Sequence, residues 1–268
     1  MSTLSSRDSS GKEQYYTRPE VADLCVQTAL PFIKAGDTLV EPCAGTGEFV
    51  KAMRRAGLTN PITSADIEPK YSGVVKADFL NTPAVGDFFL TNPPYGRNNK
   101  LSVAFFNHAA TSAKYIGFLI PSSWRKWTVE ARLDHNFHKV ADIDMPDEAF
   151  YDEVKGNLGG MLSTCFQVWE KRDYLRKDTV VPDLGYLSVS TKEKANVVFV
   201  YAGYGCGKVL TSFDRTKKNT TYRYLEAASD EVIQALKDID VSYFTKNSTY
   251  TPTVSLAEIR YLVNQNLK

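Results

Sequence analysis

Residues 88–96 read Phe-Phe-Leu-Thr-Asn92-Pro93-Pro94-Tyr95-Gly96. An apolar run bounded by a turn reads as a buried strand, and its carboxyl edge is where open α/β sheets bind ligands. Two consecutive prolines supply no N–H donors and fix φ, so the Asn92 side chain and the neighbouring carbonyls are held there as acceptors. Tyr95 offers a ring face on which a planar group can stack. Upstream, Thr38-Leu-Val-Glu41-Pro-Cys-Ala44-Gly45-Thr-Gly47 is an apolar strand, an acid and a glycine-bearing turn into a helix. Glycines let the backbone turn sharply and approach a ligand closely. A dinucleotide site would carry a third glycine where Val50 stands, and its acid would follow the loop. Acid first and glycines second suits a nucleoside with a cationic, zwitterionic tail. Asp66 falls 19 residues after Gly47, at a strand end from which a carboxylate can accept from both ribose hydroxyls. The plain alternatives are a Pro-Pro turn closing a strand, and a strand-helix turn beside a solvated acid.

Strands and helices must carry these side chains. From Thr38 to about Arg172, apolar runs alternate with amphipathic stretches, the pattern of βαβ units and a mostly parallel sheet. Strands are expected at 38–42, 62–66, 74–78, 87–91, 115–120, 140–144 and 163–170. The last two, linked without a helix, form an antiparallel hairpin. One helix runs through Phe49, Ala52, Met53 and Ala56 and stops at Gly57; another covers 103–113. Thr17-Arg18-Pro19-Glu20 reads as a capping box with proline in the first turn, opening a helix through Leu24 and Cys25 to Leu30. The expected class is α/β, a Rossmann-like seven-stranded sheet spanning residues 14–175 after a flexible segment 1–13. From 180 to 268 the texture changes to a small α+β appendage. It has short strands at 195–201, 207–211 and 221–225, and helices capped by Ser229 and by Ser255 with Glu258.

The 268 residues carry 32 Lys and Arg against 31 Asp and Glu, so any nucleic-acid contact has to be a local patch. One stretch qualifies: Lys208, Arg215, Lys217, Lys218 and Arg223 face a single acid, Asp214, with Thr and Asn interleaved. Hydroxyls and amides beside cations suit phosphate contacts, and a solvated loop is the plain alternative. Trp124-Arg125-Lys126-Trp127 is a second candidate face. No run of about 18 apolar residues predicts a membrane helix. Segment 1–13 lacks the apolar core of a signal peptide. Four scattered cysteines and three histidines have no zinc spacing, so no metal is expected, and the thiols read as reduced in a cytoplasmic setting.

Asn-Pro-Pro-Tyr after an acidic, glycine-rich motif resembles the S-adenosylmethionine-dependent amino methyltransferases. The order of motifs resembles the gamma group of DNA adenine-N6 methyltransferases. In it, Gln14-Tyr15-Tyr16-Thr17-Arg18-Pro19-Glu20 precedes the glycine loop, the tetrapeptide follows it, and a variable segment comes last. The likeness covers about residues 14–172. It implies a Rossmann-like methyltransferase domain, S-adenosylmethionine as cofactor, DNA as partner, extrusion of the target base and methyl transfer to adenine N6, as in restriction–modification. By the same resemblance, Tyr15, Tyr16 and Thr17 flank the methionine end of the cofactor. Glu41, Ala44, Gly45 and Gly47 lie along it, Asp66 and Ile67 lie at the ribose, and Asp78 with Phe79 lies at its adenine. Asn92 and the Pro93 carbonyl, backed by Pro94, hold the target amino group, and Tyr95 stacks on the target base. Phe150, or alternatively Tyr151, contacts the other face of that base; core packing is the competing reading of Phe150. Cys43 sits inside the glycine loop, where a small residue suffices. The C-terminal segment is shorter than in better-known gamma enzymes, which does not point to strong sequence specificity. The same tetrapeptide occurs in methyltransferases of structured RNA and of protein glutamine, and an inactive nucleic-acid-binding module of the same fold is a further alternative.

Overall fold

Short apolar runs flanked by turns can pair only where both faces find cover, and here seven of them build one sheet. The computed structural model describes residues 15–152, 156–157, 162–216, 219–249 and 251–268. Its contacts divide the chain into two units, one ending at Asp178 and the other starting at Thr179.

The first unit contains strands β1 (Tyr16–Thr17), β2 (Leu39–Glu41), β3 (Ile62–Asp66), β4 (Val75–Lys76), β5 (Phe88–Thr91), β6 (Tyr115–Pro121), β7 (Phe137–Asp144), β8 (Phe150–Asp152), β9 (Gly156–Asn157) and β10 (Thr164–Lys171). Its main sheet has the order β4-β3-β2-β5-β6-β10-β7. Neighbours from β4 to β6 run parallel, and β10 is antiparallel to both β6 and β7. This is the mostly parallel, Rossmann-like sheet with a terminal antiparallel hairpin expected from the sequence, one strand for each of the seven runs. Every residue of β5 and β6 is buried, as in strands covered on both faces.

Helices α1 (Pro19–Ala29), α2 (Glu48–Arg55), α3 (Lys100–Ala109) and α4 (Trp127–Glu130) belong to this unit. The apolar stripe of α2 buries Phe49, Ala52 and Met53. Two expectations need correction. Thr17 does not cap α1: it is drawn into β1, where it pairs with Phe150, and Arg18 becomes an N-cap with no side-chain bond. Pro19 still opens the helix, because its fixed φ suits the first turn. α3 starts earlier than the apolar spacing suggests, since the Tyr95 carbonyl accepts the Leu101 and Ser102 N–H groups at 3.1 and 3.3 Å and satisfies its first turn. A three-stranded sheet, β1-β8-β9, was not anticipated.

The second unit is a four-stranded antiparallel sheet, β11 (Leu187–Val189), β12 (Val197–Val200), β13 (Val209–Leu210) and β14 (Tyr222–Ala227), in the order β11-β14-β12-β13. Helices α5 (Asp230–Lys237), α6 (Ser242–Lys246) and α7 (Leu256–Asn266) follow. Ser229 caps α5, and both halves of the Ser255/Glu258 capping box form at α7, at 3.2 and 2.7 Å. β11 and α6 escape the sequence reading, one a three-residue strand, the other without a side-chain cap. Among the described residues no helix is long and apolar enough to cross a membrane, and no group of three or more His, Cys, Asp or Glu could hold a metal ion.

Candidate functional site

The carboxyl ends of β2, β3 and β5 open onto a cleft enclosing about 1000 Å³, open mouth included. Tyr15, Tyr16, Thr17, Ala44, Gly45, Asp66, Ile67, Phe79, Asn92, Pro93 and Pro94 line it, so most of the residues singled out in the sequence converge on one place. Pro42, Cys43, Thr46, Glu48, Phe49, Glu68, Lys70 and Phe105 also line it and were not singled out for a ligand. Glu48 and Phe49 open α2, whose apolar spacing carries no sign of a second duty.

The glycine loop is strapped to β3. Asp66 accepts the Gly45 N–H on Oδ2 at 2.8 Å and the Glu68 N–H on Oδ1 at 2.7 Å. Gly47 sits at φ 80, and a Cβ there would come within 2.4 Å of the Tyr71 ring, so no other residue fits without displacing that ring. Tyr16 leans over Gly45, and the Lys70 ammonium lies 4.7 Å from the Tyr16 ring centre. Phe79 gives the cleft an apolar wall, packed on Phe105 and edge-on to His108. Asp78, beside it, stays exposed and caps the turn at Leu80 and Asn81, away from the lining.

Glu41 and Gly47 support the loop from behind and do not line the cleft. Glu41 is fully buried; its Oε1 accepts the Cys43 N–H and the Thr91 hydroxyl, and its Oε2 has no partner. Burial pushes its pKa up to about 8. An unfolded glutamate releases its proton near pH 4.3. Between those values the folded state holds the extra proton, so stability falls as pH rises through the window, by on the order of 5 kcal/mol. Glu41→Gln, neutral throughout, is expected to flatten that fall. Urea unfolding at about pH 5 and about pH 8 measures it, and a variant as pH-sensitive as the wild type would refute a protonated Glu41.

Asn92 stands on the cleft wall at the end of β5. Its Nδ2 donates to the Tyr15 carbonyl at 2.9 Å, and its Oδ1 accepts from the Tyr95 hydroxyl at 3.0 Å. Tyr15 stacks on Tyr95 with ring centres 5.7 Å apart and lies 5.4 Å from Phe150, while Tyr95 and Phe150 meet edge-on at 6.3 Å. The β1–β8 ladder assembles this trio by pairing Tyr16 with Tyr151 and Thr17 with Phe150. Tyr95 and Phe150 are consequently buried and neither lines the cleft. The three rings pack against one another as one cluster, which is the core packing weighed for Phe150.

Behind the tetrapeptide, Asn98 and Asn99 adopt left-handed backbone at φ 55 and 59. Side chains hold this unfavourable turn: Asn99 donates to Ser123 Oγ at 3.0 Å, Arg132 to the Asn98 carbonyl at 2.8 Å, and buried Trp124 to Ser102 Oγ at 3.1 Å.

The basic residues separate. Arg215 donates to the carbonyls of Lys192, Glu193 and Ala195 at 2.6, 2.8 and 2.9 Å and covers the Phe213 ring. It clamps its loop through three of its five N–H donors while remaining exposed. Arg223 lies over the Tyr201 ring at 4.7 Å, and Lys208 is exposed. Lys217 and Lys218 lie outside the described residues. The Trp124–Trp127 face is corrected: Trp124 is in the core, and Arg125 pairs with Asp142 and Asp144.

No family model and no curated protein matches the chain. Among solved structures, a Pyrococcus horikoshii protein provisionally named an RNA methyltransferase is 14% identical, with TM-score 0.48, over 60% of this chain and 88% of its own. The modification subunit of a provisionally named type I restriction enzyme from Vibrio vulnificus is 13% identical, with TM-score 0.44, over 90% of this chain and 59% of its own. A 23S rRNA methyltransferase is 13% identical, with TM-score 0.42, over 61% and 72%. With these three TM-scores below 0.5, the likenesses assign nothing to this chain.

Proposed function

We propose that the protein transfers a methyl group from S-adenosylmethionine to the N6 amino group of adenine in DNA. The observation that carries this reading is the amide of Asn92, held by the Pro-Pro turn on the wall of a cleft that the Asp66-strapped glycine loop also lines.

The residues present fit that cofactor. Asp66 is a carboxylate at a strand end beside Ile67, suited to a ribose diol. Phe79 and Phe105 are apolar partners for a purine, and the backbone at Gly45, without a Cβ, lines the cleft. Glu41, behind the loop, fixes its shape through the Cys43 N–H and the Thr91 hydroxyl. When bound, S-adenosylmethionine supplies an electrophilic methyl on a sulfonium.

The chain's own residues supply position. An aromatic amine is a poor nucleophile because its lone pair is delocalised into the ring. The Asn92 Oδ1 and the Pro93 carbonyl can accept its two N–H groups and favour a pyramidal nitrogen. Catalysis of this kind is positioning and electrostatics. A target base inside a duplex has to be extruded to reach such a site. On entry it replaces the Tyr95 hydroxyl at Asn92 Oδ1, and Tyr15 has to part from Tyr95 and Phe150 to open a slot between aromatic faces.

Radiolabelled methyl transfer, offered unmethylated DNA, structured RNA and protein in parallel and followed by nucleoside analysis, tests the reading. Label in N6-methyladenine of DNA is expected; label only in RNA or protein would refute the substrate. A cofactor test is independent. Asp66→Ala removes a ribose acceptor and also releases the Gly45 N–H, so affinity for S-adenosylmethionine should fall by about 1–3 kcal/mol. Unchanged affinity by calorimetry in the folded variant would remove Asp66 from the cofactor site.

A further inference from the structure

In the second unit the ring of Tyr204 is fully exposed. It stands at the tip of the turn between β12 and β13, in Tyr201-Ala-Gly203-Tyr204-Gly205-Cys206-Gly207-Lys208. Exposed rings on loose loops are ordinary, but this turn is pinned from two sides. Inside the hairpin, the Gly207 N–H donates to the Val200 carbonyl and the Val200 N–H to the Lys208 carbonyl, both at 2.9 Å. The Cys206 and Lys208 N–H groups close the turn on the Gly203 and Gly205 carbonyls at 3.0 and 3.1 Å. From outside, the Gly203 N–H donates to Pro252 at 3.0 Å and the Val254 N–H to Tyr201 at 2.9 Å. Gly203 and Gly207 take φ of 85 and 98, which lets the chain bend this tightly. A braced backbone therefore holds an aromatic ring out into solvent.

Two cations lie at this end of the sheet. Lys208 is exposed at the base of the turn, and Arg223, stacked on Tyr201, reaches the same end of the sheet because Val200 pairs with Tyr222. An exposed ring among cations is the combination that binds unpaired nucleotides, with the ring stacking on a base and the cations taking phosphates.

We propose that Tyr204 stacks on an unpaired base of the nucleic-acid substrate while Lys208 contacts an adjacent phosphate. The inference rests on the nucleic-acid reading above and adds the residue by which the second unit grips the strand. Stacking accepts any base, so this grip adds affinity without sequence choice.

The test uses the full chain and a fluorescent single-stranded oligonucleotide, with binding followed by anisotropy. Tyr204→Ala should weaken binding on the order of tenfold to a hundredfold. Tyr204→Trp should restore it, and Tyr204→Leu, apolar without a π face, should not. The Tyr204 variants should keep the wild-type salt slope, whereas Lys208→Ala should lower it by about 0.7. Affinity for S-adenosylmethionine should be unchanged in all four. If the wild type binds and methylates nucleic acid but Tyr204→Ala binds equally well, the proposal is overturned and the enzyme reading stands. Full binding by Tyr204→Leu would overturn stacking in favour of a general apolar contact, as for a protein partner. A wild type that binds S-adenosylmethionine but no nucleic acid would overturn both.

Discussion

Asn92→Ala should leave a folded protein that binds S-adenosylmethionine and DNA but methylates adenine on the order of 10²–10³ times more slowly, the usual cost of removing one preorganised polar group. The effect belongs on turnover, because the proposed contact to the reacting nitrogen strengthens as that nitrogen becomes pyramidal. The variant also strips the Tyr15 carbonyl of a donor and the Tyr95 hydroxyl of an acceptor. A stability loss of about 1–2 kcal/mol accompanies these broken bonds. Rates therefore have to be taken per folded molecule, with circular dichroism and cofactor calorimetry alongside. Near-normal methylation by a folded variant would refute the role of Asn92.

Trp124→Ala should have the largest effect on stability. The indole is wholly buried, meets Phe106 and Phe118 edge-on at 5.8 and 6.4 Å, and donates to Ser102 at the first turn of α3. Truncating a ring in such a site costs about 3–5 kcal/mol. Trp124→Phe keeps most of the volume and loses the hydrogen bond, for about 1–2 kcal/mol. Urea unfolding of both separates packing from the bond. A loss below about 1.5 kcal/mol for the alanine variant would mean that the pocket collapses around the missing ring.

What could be read from the sequence follows from the length of each signal. Runs such as Phe88–Thr91 and Tyr115–Pro121 are buried on both faces and show as continuous apolar stretches. The glycine loop and the Pro-Pro turn show because each needs residue types that little else replaces. β1 and β8 are two and three residues long, too short for any period, and their pairing joins Thr17 to Phe150 across most of the unit. The sequence therefore shows Tyr15 only as a cofactor neighbour, and its packing on Tyr95 and Phe150 is legible only in the structure. The cap of α3 is a backbone carbonyl, which has no residue type to read. The loop clamp of Arg215 is illegible for a related reason: the three carbonyls that engage it leave no trace in the sequence.

The place of β10 bears on how the protein is made. It follows β7 in the chain yet lies between β6 and β7. During synthesis, both neighbours leave the ribosome before the strand that joins them. Until Lys171 has emerged, β6 keeps one side of bare N–H and carbonyl groups, on a strand buried along its whole length in the finished sheet. Such an edge is a template for pairing with another chain. The nascent protein therefore passes through a stage in which β5 is already paired with β6 while the sheet remains open to aggregation. Truncations between Asp144 and Thr164 should freeze it there and yield insoluble protein, whereas the complete sheet closes its own hazard.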